Sequence, residues 1–154
     1  MSAGVQIRPM EGGDLDKVVA LAAQLAEAPH WPRTAYEAAV DRSATPPRIC
    51  LVATSAEVQV AGFVIASAVG EEAEIESIGV ASGLQRRGIG RALLDALIGL
   101  AGMRGATEIR LEVRESNGAA AGLYRSAGFV LTGRRRGYYR DPEEDAVLYS
   151  LRLG

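Results

Sequence analysis

One stretch of the chain leads from a strand, through a loop rich in glycine and arginine, into a long helix. It reads Ile78-Gly79-Val80-Ala81-Ser82-Gly83-Leu84-Gln85-Arg86-Arg87-Gly88-Ile89-Gly90-Arg91. The first amides of a helix have no partner within the helix, and the helix dipole is positive at that end. Glycine lets the backbone come close to a ligand. The stretch therefore predicts a site for a phosphate or pyrophosphate at the start of the helix.

Two familiar phosphate-binding loops do not match this stretch. A Walker loop needs Lys followed by Ser or Thr after its last glycine, but Ile89 and Gly90 follow Gly88. The dinucleotide pattern Gly-x-Gly-x-x-Gly is also absent, because Arg91-Ala92-Leu93 comes next. The remaining pattern is Gln85-Arg86-Arg87-Gly88-Ile89-Gly90, whose alternative interpretation is a tight turn before a helix, with solvated arginines.

A second motif lies about 30 residues further on, between Leu111 and Phe129. The two motifs together resemble the GNAT superfamily of N-acetyltransferases. In that family the coenzyme A pyrophosphate loop is Gln/Arg-x-x-Gly-x-Gly/Ala, and the second signature is Asn-x-x-Ala-x-x-Leu-Tyr-x-x-x-Gly-Phe. This chain matches every keyed position of the second signature: Asn117, Ala120, Leu123, Tyr124, Gly128 and Phe129.

Further residues resemble one branch of that family, the ribosomal-protein-alanine N-acetyltransferases, which acetylate a protein N-terminus. They are Leu111-Glu112-Val113-Arg114, Arg135-Arg136-Gly137-Tyr138-Tyr139 and Glu144-Asp145-Ala146. The resemblance covers residues 72–153 and is weak before them. The branch commonly has Ala-Val-x-Pro before the pyrophosphate loop, where this chain has Gly79-Val80-Ala81-Ser82, and Ser77 replaces a frequent asparagine. These departures affect the expected identity of the acceptor more than the expected binding of acetyl-CoA.

Composition and patterning predict one globular domain over residues 1–154. With 48% hydrophobic and 23% charged residues, the chain is typical of soluble proteins, and its net charge of −2 argues against a general nucleic-acid binder. A single cysteine and a single histidine exclude a disulfide framework and a Cys- or multi-His metal site within the chain. Because we find neither a signal-peptide pattern nor an uncharged run long enough to span a bilayer, we expect a cytoplasmic protein without membrane contact, a monomer or a homodimer.

Hydrophobic periodicity predicts an α/β (α+β) fold in the order β-α-α-β-β-β-α-β-α-β-β. The resemblance implies a mixed central sheet flanked by helices. Strands are predicted at residues 5–9, 48–54, 58–69, 72–80, 109–114, 129–132 with 136–139 (as one bent strand or two) and 146–153. Helices are predicted at 14–26, 34–42, 88–103 and 117–127, with Asp14 and Asn117 as caps.

The resemblance implies acetyl-CoA as the cofactor and no metal. The coenzyme-binding residues carried over are Ile78, Gly79, Val80, Gln85, Arg86, Arg87, Gly88, Ile89, Gly90, Arg91, Asn117, Ala120 and Tyr124. Backbone N–H groups around Ile78 to Val80 are expected to polarise the thioester carbonyl and to hold the pantetheine arm like an added strand. Asn117 contacts the coenzyme arm, caps its helix, or does both.

The resemblance also implies the catalytic groups. Tyr124 stands where the family places its acid, and a tyrosine with a pKa of ~10 can protonate a leaving thiol with a pKa of ~8.5; the alternative is a tyrosine of the core. For the base we rank Glu112 first, then Glu76, then Glu74. The alternatives are an ion pair of Glu112 with Arg110 or Arg114, and a solvated hairpin edge for Glu76 and Glu74, which we expect on the same face as Ile78 and Val80.

The expected acceptor is the N-terminal α-amine of a protein such as a ribosomal protein. An α-amine has a pKa of ~7.8 and lysine ~10.4, so an α-amine asks less of the base. The alternatives are a lysine or small-molecule amine, a non-catalytic acyl-CoA sensor, and a ribosome-binding protein that uses arginines 134–136, whose default interpretation is a solvated face. Trp31 (with His30), Tyr138 and Tyr139 are candidate acceptor-binding residues, although Trp31 and His30 are as well explained by a helix–helix turn. Because neighbouring strand residues face opposite sides, at most one of the two tyrosines should line a groove.

Overall fold

The computed structural model describes residues 5–25, 31–41, 43, 45, 47–56, 58–84 and 88–154. Its elements follow the predicted order. They are β1 (Gln6–Pro9), a 3-10 turn (Gly12–Asp14), α1 (Leu15–Gln24), α2 (Arg33–Val40), β2 (Arg48–Thr54), β3 (Gly62–Val69), β4 (Glu72–Val80), a 3-10 turn (Ser82–Leu84), α3 (Ile89–Met103), β5 (Glu108–Arg114), α4 (Gly118–Ser126), β6 (Val130–Tyr139) and β7 (Glu144–Arg152). The predicted fold class and element order are confirmed, and β6 is one irregular strand.

The seven strands form one sheet in the order β1-β2-β3-β4-β5-β7-β6. All neighbours are antiparallel except β4 and β5, whose parallel ladder has only three pairs and ends at Glu74↔Arg110. Beyond that point β4 still pairs with β3 as far as Val80, and β5 pairs with β7 along its whole length. The two strands therefore part, and a gap opens between them in the middle of the sheet.

A β-bulge in β4 changes which side chains face which layer. Ile65 pairs with Ser77 and Ala66 pairs with Ile75, so Glu76 is the extra residue. Before the bulge Ile75 packs with α3; after it, Ile78 and Val80 are the residues that pack on that side. The expectation that Glu74 and Glu76 share a face with Ile78 and Val80 is therefore wrong, because one inserted residue reverses the alternation.

Two hydrophobic cores lie on opposite faces of the sheet. The first is formed by α3 and α4 over strands β2 to β5 and β7, and Leu93, Leu94 and Leu97 of α3 are fully buried in it. The second is formed by α1 and α2 over β2 and β3, and centres on Tyr36 and Phe63. On the face of the sheet that holds the second core, the side chains of β5 are polar and do not belong to that core. They are Arg110, Glu112 and Arg114.

Asp14 stands at the predicted N-cap position of α1, but its carboxylate makes no hydrogen bond to that helix. It accepts the backbone N–H of Glu11 at 2.8 Å and two hydrogen bonds from the Arg8 guanidinium at 2.7 and 2.8 Å. The prediction that the Asp14 side chain caps α1 is therefore wrong, because its carboxylate binds Glu11 and Arg8 instead. The Arg8 hydrogen bonds lower the pKa of Asp14, and the carboxylate joins β1 to the turn before α1.

Candidate active site

The anion site predicted from the sequence falls at the first turn of α3. Gly88, with φ of +80°, takes a left-handed conformation that glycine adopts without strain, and the first helical hydrogen bond runs from Ala92 N–H to its carbonyl at 3.0 Å. The amides of Ile89, Gly90 and Arg91 precede that bond and belong to the end where anions bind. The predicted ligands Gln85, Arg86 and Arg87 lie outside the described residues.

The Arg91 side chain is engaged elsewhere. Its guanidinium donates hydrogen bonds to Asp95 at 2.9 Å and to the Ser126 carbonyl at 3.0 Å, which ties α3 to the end of α4. These contacts hold the Arg91 side chain beside α4, while its backbone amide belongs to the helix start.

Close packing brings this helix start to the gap between β4 and β5. A Cβ at Gly90 would lie 3.2 Å from Leu123 of α4 and 3.6 Å from Val80 of β4. A Cβ at Gly79 would lie 2.5 Å from Leu25 and 3.0 Å from the Phe63 ring. These contacts explain why glycine stands at position 79, where the related branch commonly has alanine. Leu25 and Phe63 occupy the space that an alanine side chain would need.

The second signature builds α4 and its cap. The Asn117 side-chain oxygen accepts the Ala120 amide at 3.2 Å, so the expected helix cap is confirmed. Among the described residues, none accepts a hydrogen bond from the NH2 group of Asn117. Tyr124 is 2% exposed and packs against Phe129 and Tyr149, with ring centroids 5.7 and 6.4 Å away. Burial raises the pKa of Tyr124, and the neighbouring phenol of Tyr139 adds to this.

Glu112 makes its ion pair with Arg135, with 3.1 Å between Oε1 and Nε. The two expected partners are occupied: Arg110 pairs with Glu72 at 3.0 Å and Arg114 with Glu144 at 3.3 Å. Glu112 therefore does form an ion pair, as its alternative interpretation held, but with Arg135, which lies two strands away, and not with Arg110 or Arg114. No sequence spacing indicates that contact.

The two carboxylates of β4 differ in their surroundings. Glu76 is held by Arg48 of β2, with N–O distances of 2.8 and 3.3 Å. Glu74 has no ion pair among the described residues, and its pKa is raised first by partial burial and next by the charge of Glu112. Glu74 and Glu112 therefore face each other across the point where β4 and β5 part.

The two tyrosines of β6 contact each other, with ring centroids 5.1 Å apart in an edge-to-face arrangement. Gly137, with φ of +60°, and a register shift between Arg135 and Tyr139 break the strand alternation. The expectation that these rings face opposite sides is therefore wrong. Arg114 lies 4.4 Å from the Tyr139 ring centroid, and Arg135 lies 5.3 Å from that of Tyr138.

Tyr139 interacts electrostatically with both candidate proton-transfer groups, Glu112 and Tyr124. Burial raises the pKa of Tyr139, and the charge of Glu112 raises it further; Tyr139 in turn acts on Tyr124. Leu111 and Val113 pack in the first core together with Tyr124, so Glu112 between them points to the other face. Tyr124 and Glu112 thus lie on opposite faces of the sheet.

The remaining predicted positions are Trp31, His30 and the arginines 134–136. Trp31 is half-buried, 5.1 Å from Tyr36 between ring centroids, and His30 lies outside the described residues. Arg134 pairs with Glu115 and Asp145, so the arginine run is only partly a solvated face.

Within the described ranges, no group of three acidic, histidine or cysteine side chains is arranged to hold a metal ion. In the same part of the chain, no helix has the length and apolarity that crossing a bilayer requires.

Comparison with known proteins gives consistent matches. The sequence model of the acetyltransferase (GNAT) family matches residues 18–129. The chain is 44% identical over 95 residues to the ribosomal protein bS18-alanine N-acetyltransferase of Escherichia coli K12, covering 60% of this chain and 64% of that protein. It is 49% identical over 81 residues to the N-alpha-acetyltransferase RimI of Mycobacterium tuberculosis, covering 53% and 48%. The aligned part thus spans less than two thirds of either relative.

A solved structure resembles the whole of the described fold. The crystal structure of the ribosomal-protein-S18-alanine N-acetyltransferase from Escherichia coli matches with a TM-score of 0.83 and 32% identity, covering 97% of this chain and 94% of that chain.

Proposed function

Because the chain belongs to the acetyltransferase (GNAT) family, which transfers acetyl from acetyl-CoA to amines, we propose that it acetylates the N-terminal α-amine of a protein. The resemblance to enzymes named for ribosomal protein bS18 makes a ribosomal protein the first acceptor to test. Such an acceptor would place the reaction in the cytoplasm. One observation carries the proposal: Glu112 stands on β5 just beyond the point where β4 and β5 part, and its carboxylate is held there by Arg135.

The chain offers a binding surface for each part of the coenzyme. The first amides of α3, from Ile89 to Arg91, suit the pyrophosphate, because unpartnered N–H groups and the helix dipole favour anions. The edge of β4 around Ile78 and Gly79 suits the amide-bearing pantetheine arm, since it lies beyond the point where β5 stops pairing. The NH2 group of Asn117 is a donor for the same arm. When bound, acetyl-CoA supplies the acetyl group as a thioester.

In the proposed reaction, Glu112 accepts a proton from the acceptor's ammonium group, directly or through water, and the neutral amine is then the nucleophile. Tyr124 would donate its hydroxyl proton to the sulfur as the carbon–sulfur bond breaks, and the second proton lost by the acceptor nitrogen as the amide forms would restore the Tyr124 hydroxyl. Burial keeps Tyr124 protonated over the working pH range, but it also makes the hydroxyl a weaker acid. The same apolar surroundings raise the pKa of a thiol, so the leaving group becomes a better proton acceptor in parallel.

The acceptor class follows from the cost of deprotonation. A lysine is harder to deprotonate than an α-amine by ~2.6 pKa units, or roughly 3.5 kcal/mol. Glu112 is held by Arg135, and Glu76 by Arg48. An α-amine is therefore the acceptor that asks less of either carboxylate.

The experiment is a thiol-release assay with acetyl-CoA and a panel of acceptors. The panel contains peptides with a free N-terminus, the same peptides with a blocked N-terminus and an internal lysine, and small amines. We expect turnover on the free N-termini. Turnover confined to lysine peptides or small amines would overturn the acceptor assignment, and coenzyme binding without turnover on any amine would favour a sensor.

A further inference from the structure

One side chain, Arg135, connects the proposed base to the aromatic residues beside it. Glu112 of β5 pairs with Leu148 of β7, while Arg135 of β6 pairs with Ala146 on the other edge of β7. The two backbones are thus separated by one strand, or roughly 10 Å. The arginine side chain crosses β7 to place Nε 3.1 Å from Glu112 Oε1.

The same guanidinium has a second contact. It lies 5.3 Å from the ring centroid of Tyr138, which is half exposed. A guanidinium is planar and rigid, so a carboxylate at its Nε edge and a ring against its face fix its orientation. Among the described residues, the other arginines near Glu112 are engaged, Arg110 with Glu72 and Arg114 with Glu144.

Glu112 needs such a partner because of Glu74. The two carboxylates interact across the opening gap, and Arg135 acts electrostatically on Glu74 as well. Two like charges side by side favour rotamers that move them apart. Stability alone does not require the Arg135 contact, since an ion pair in which the arginine side chain is 56% exposed adds little to folding.

We propose that Arg135 is a positioning residue, which fixes the orientation of the Glu112 carboxylate on its face of β5. Arg135 Nε contacts Glu112 Oε1, and in this proposal Glu112 Oε2 accepts the proton of the acceptor amine. This role rests on the proposed function, because it assumes that Glu112 is the base. Arg135 does not touch the reacting atoms, and its effect on the rate is exerted only through Glu112.

The test is a double-mutant cycle of Arg135→Ala and Glu112→Gln, measured by thiol release with saturating acetyl-CoA and a free-N-terminus peptide. We expect Arg135→Ala to lower kcat about 10- to 100-fold, as small misplacements of a catalytic group do. In the Glu112→Gln background, at an enzyme concentration that keeps its residual rate measurable, Arg135→Ala should cause no further loss. The matched control Arg136→Ala removes an adjacent arginine and should turn over like wild type.

Each outcome separates the two proposals. If Arg135→Ala turns over like wild type, or lowers the rate equally in both backgrounds, the positioning role is overturned while the acetyltransferase proposal stands. If the wild type acetylates no free N-terminus, the proposed function fails and the role of Arg135 fails with it. Thermal melting of each variant checks the fold. Should Arg135→Ala not fold, Arg135→Lys takes its place in the cycle, because it keeps the charge but loses the planar fork.

Discussion

Replacing Gly79 by alanine should destabilise the protein, because the space for a side chain is taken. An added Cβ would lie 2.5 Å from Leu25 Cδ1 and 3.0 Å from Phe63 Cε1, where ordinary contacts between carbon atoms are about 3.5–4.0 Å. Leu25 is a long side chain at the end of α1 and can move aside, whereas Phe63 is fully buried. The strain must therefore be shared between a displaced leucine and a shifted strand.

The magnitude follows from these contacts. Overpacking of a filled core costs about 1–3 kcal/mol. Replacing glycine also removes backbone freedom from the unfolded chain, which returns about 0.4–1 kcal/mol. The net loss of about 1–2 kcal/mol corresponds to a fall in Tm of roughly 2–8 °C for a chain of this size.

The assay is thermal unfolding of Gly79→Ala beside a glycine with open space. Gly99, in the exposed middle of α3, has nothing within 4 Å of an added Cβ, so Gly99→Ala should raise Tm. In a Leu25→Ala background, Gly79→Ala should cost less, since its closest neighbour is gone. A Gly79→Ala protein as stable as wild type, or an equal cost in both backgrounds, would refute this reasoning.

Three further predictions concern the site and the stability. Tyr124→Phe should lower kcat about 100-fold or more, while calorimetry should show unchanged acetyl-CoA binding. Because burial raises the pKa of Tyr124, the wild-type kcat should stay level to about pH 9.5. A fall of kcat at lower pH that is absent in the variant would contradict this. Glu112→Gln should lose about 100-fold in kcat while Glu76→Gln, whose carboxylate is held by Arg48, loses far less, and the reverse order would exchange their roles. Asp14→Asn should lower the unfolding free energy by about 1 kcal/mol at pH 7. The pKa of Asp14 is lowered in the folded state, so this stability is complete above the unfolded pKa of ~3.9 and is lost as pH falls through the folded value; denaturant curves at pH 7 and pH 3 should show the difference shrinking, and a constant difference would argue against the ion pair.

Much of the fold was predictable because it depends on local patterns. Apolar residues at helical spacing determine α3, and Asn117 followed by small residues and Gly128 determines α4. The bounds of β2 and β4 agree with the predicted strands residue for residue. Family membership was predictable from two motifs alone, since each encodes a local arrangement of backbone and side chain.

The electrostatic partners were not predictable, because they depend on pairing between distant strands. Arg135 and Glu112 come near each other because β7 pairs with both β5 and β6, and the arginine side chain spans β7. The bulge at Glu76 was not predicted, although the apolar residues of β4 shift from Ala73 and Ile75 to Ile78 and Val80, and it reverses which residues face each core. The contact of Tyr138 with Tyr139 depends on the positive φ of Gly137, which two adjacent tyrosines in a strand do not reveal.

The central claim is that this chain acetylates an α-amine at the gap between β4 and β5. The most direct measurement uses one peptide that carries both a free N-terminal amine and an internal lysine, incubated with enzyme and acetyl-CoA and then sequenced by fragmentation mass spectrometry. The account predicts an acetyl group on the N-terminal amine, formed by wild type and strongly reduced in Tyr124→Phe. An acetyl group on the lysine side chain, or the same yield from the variant, would contradict it.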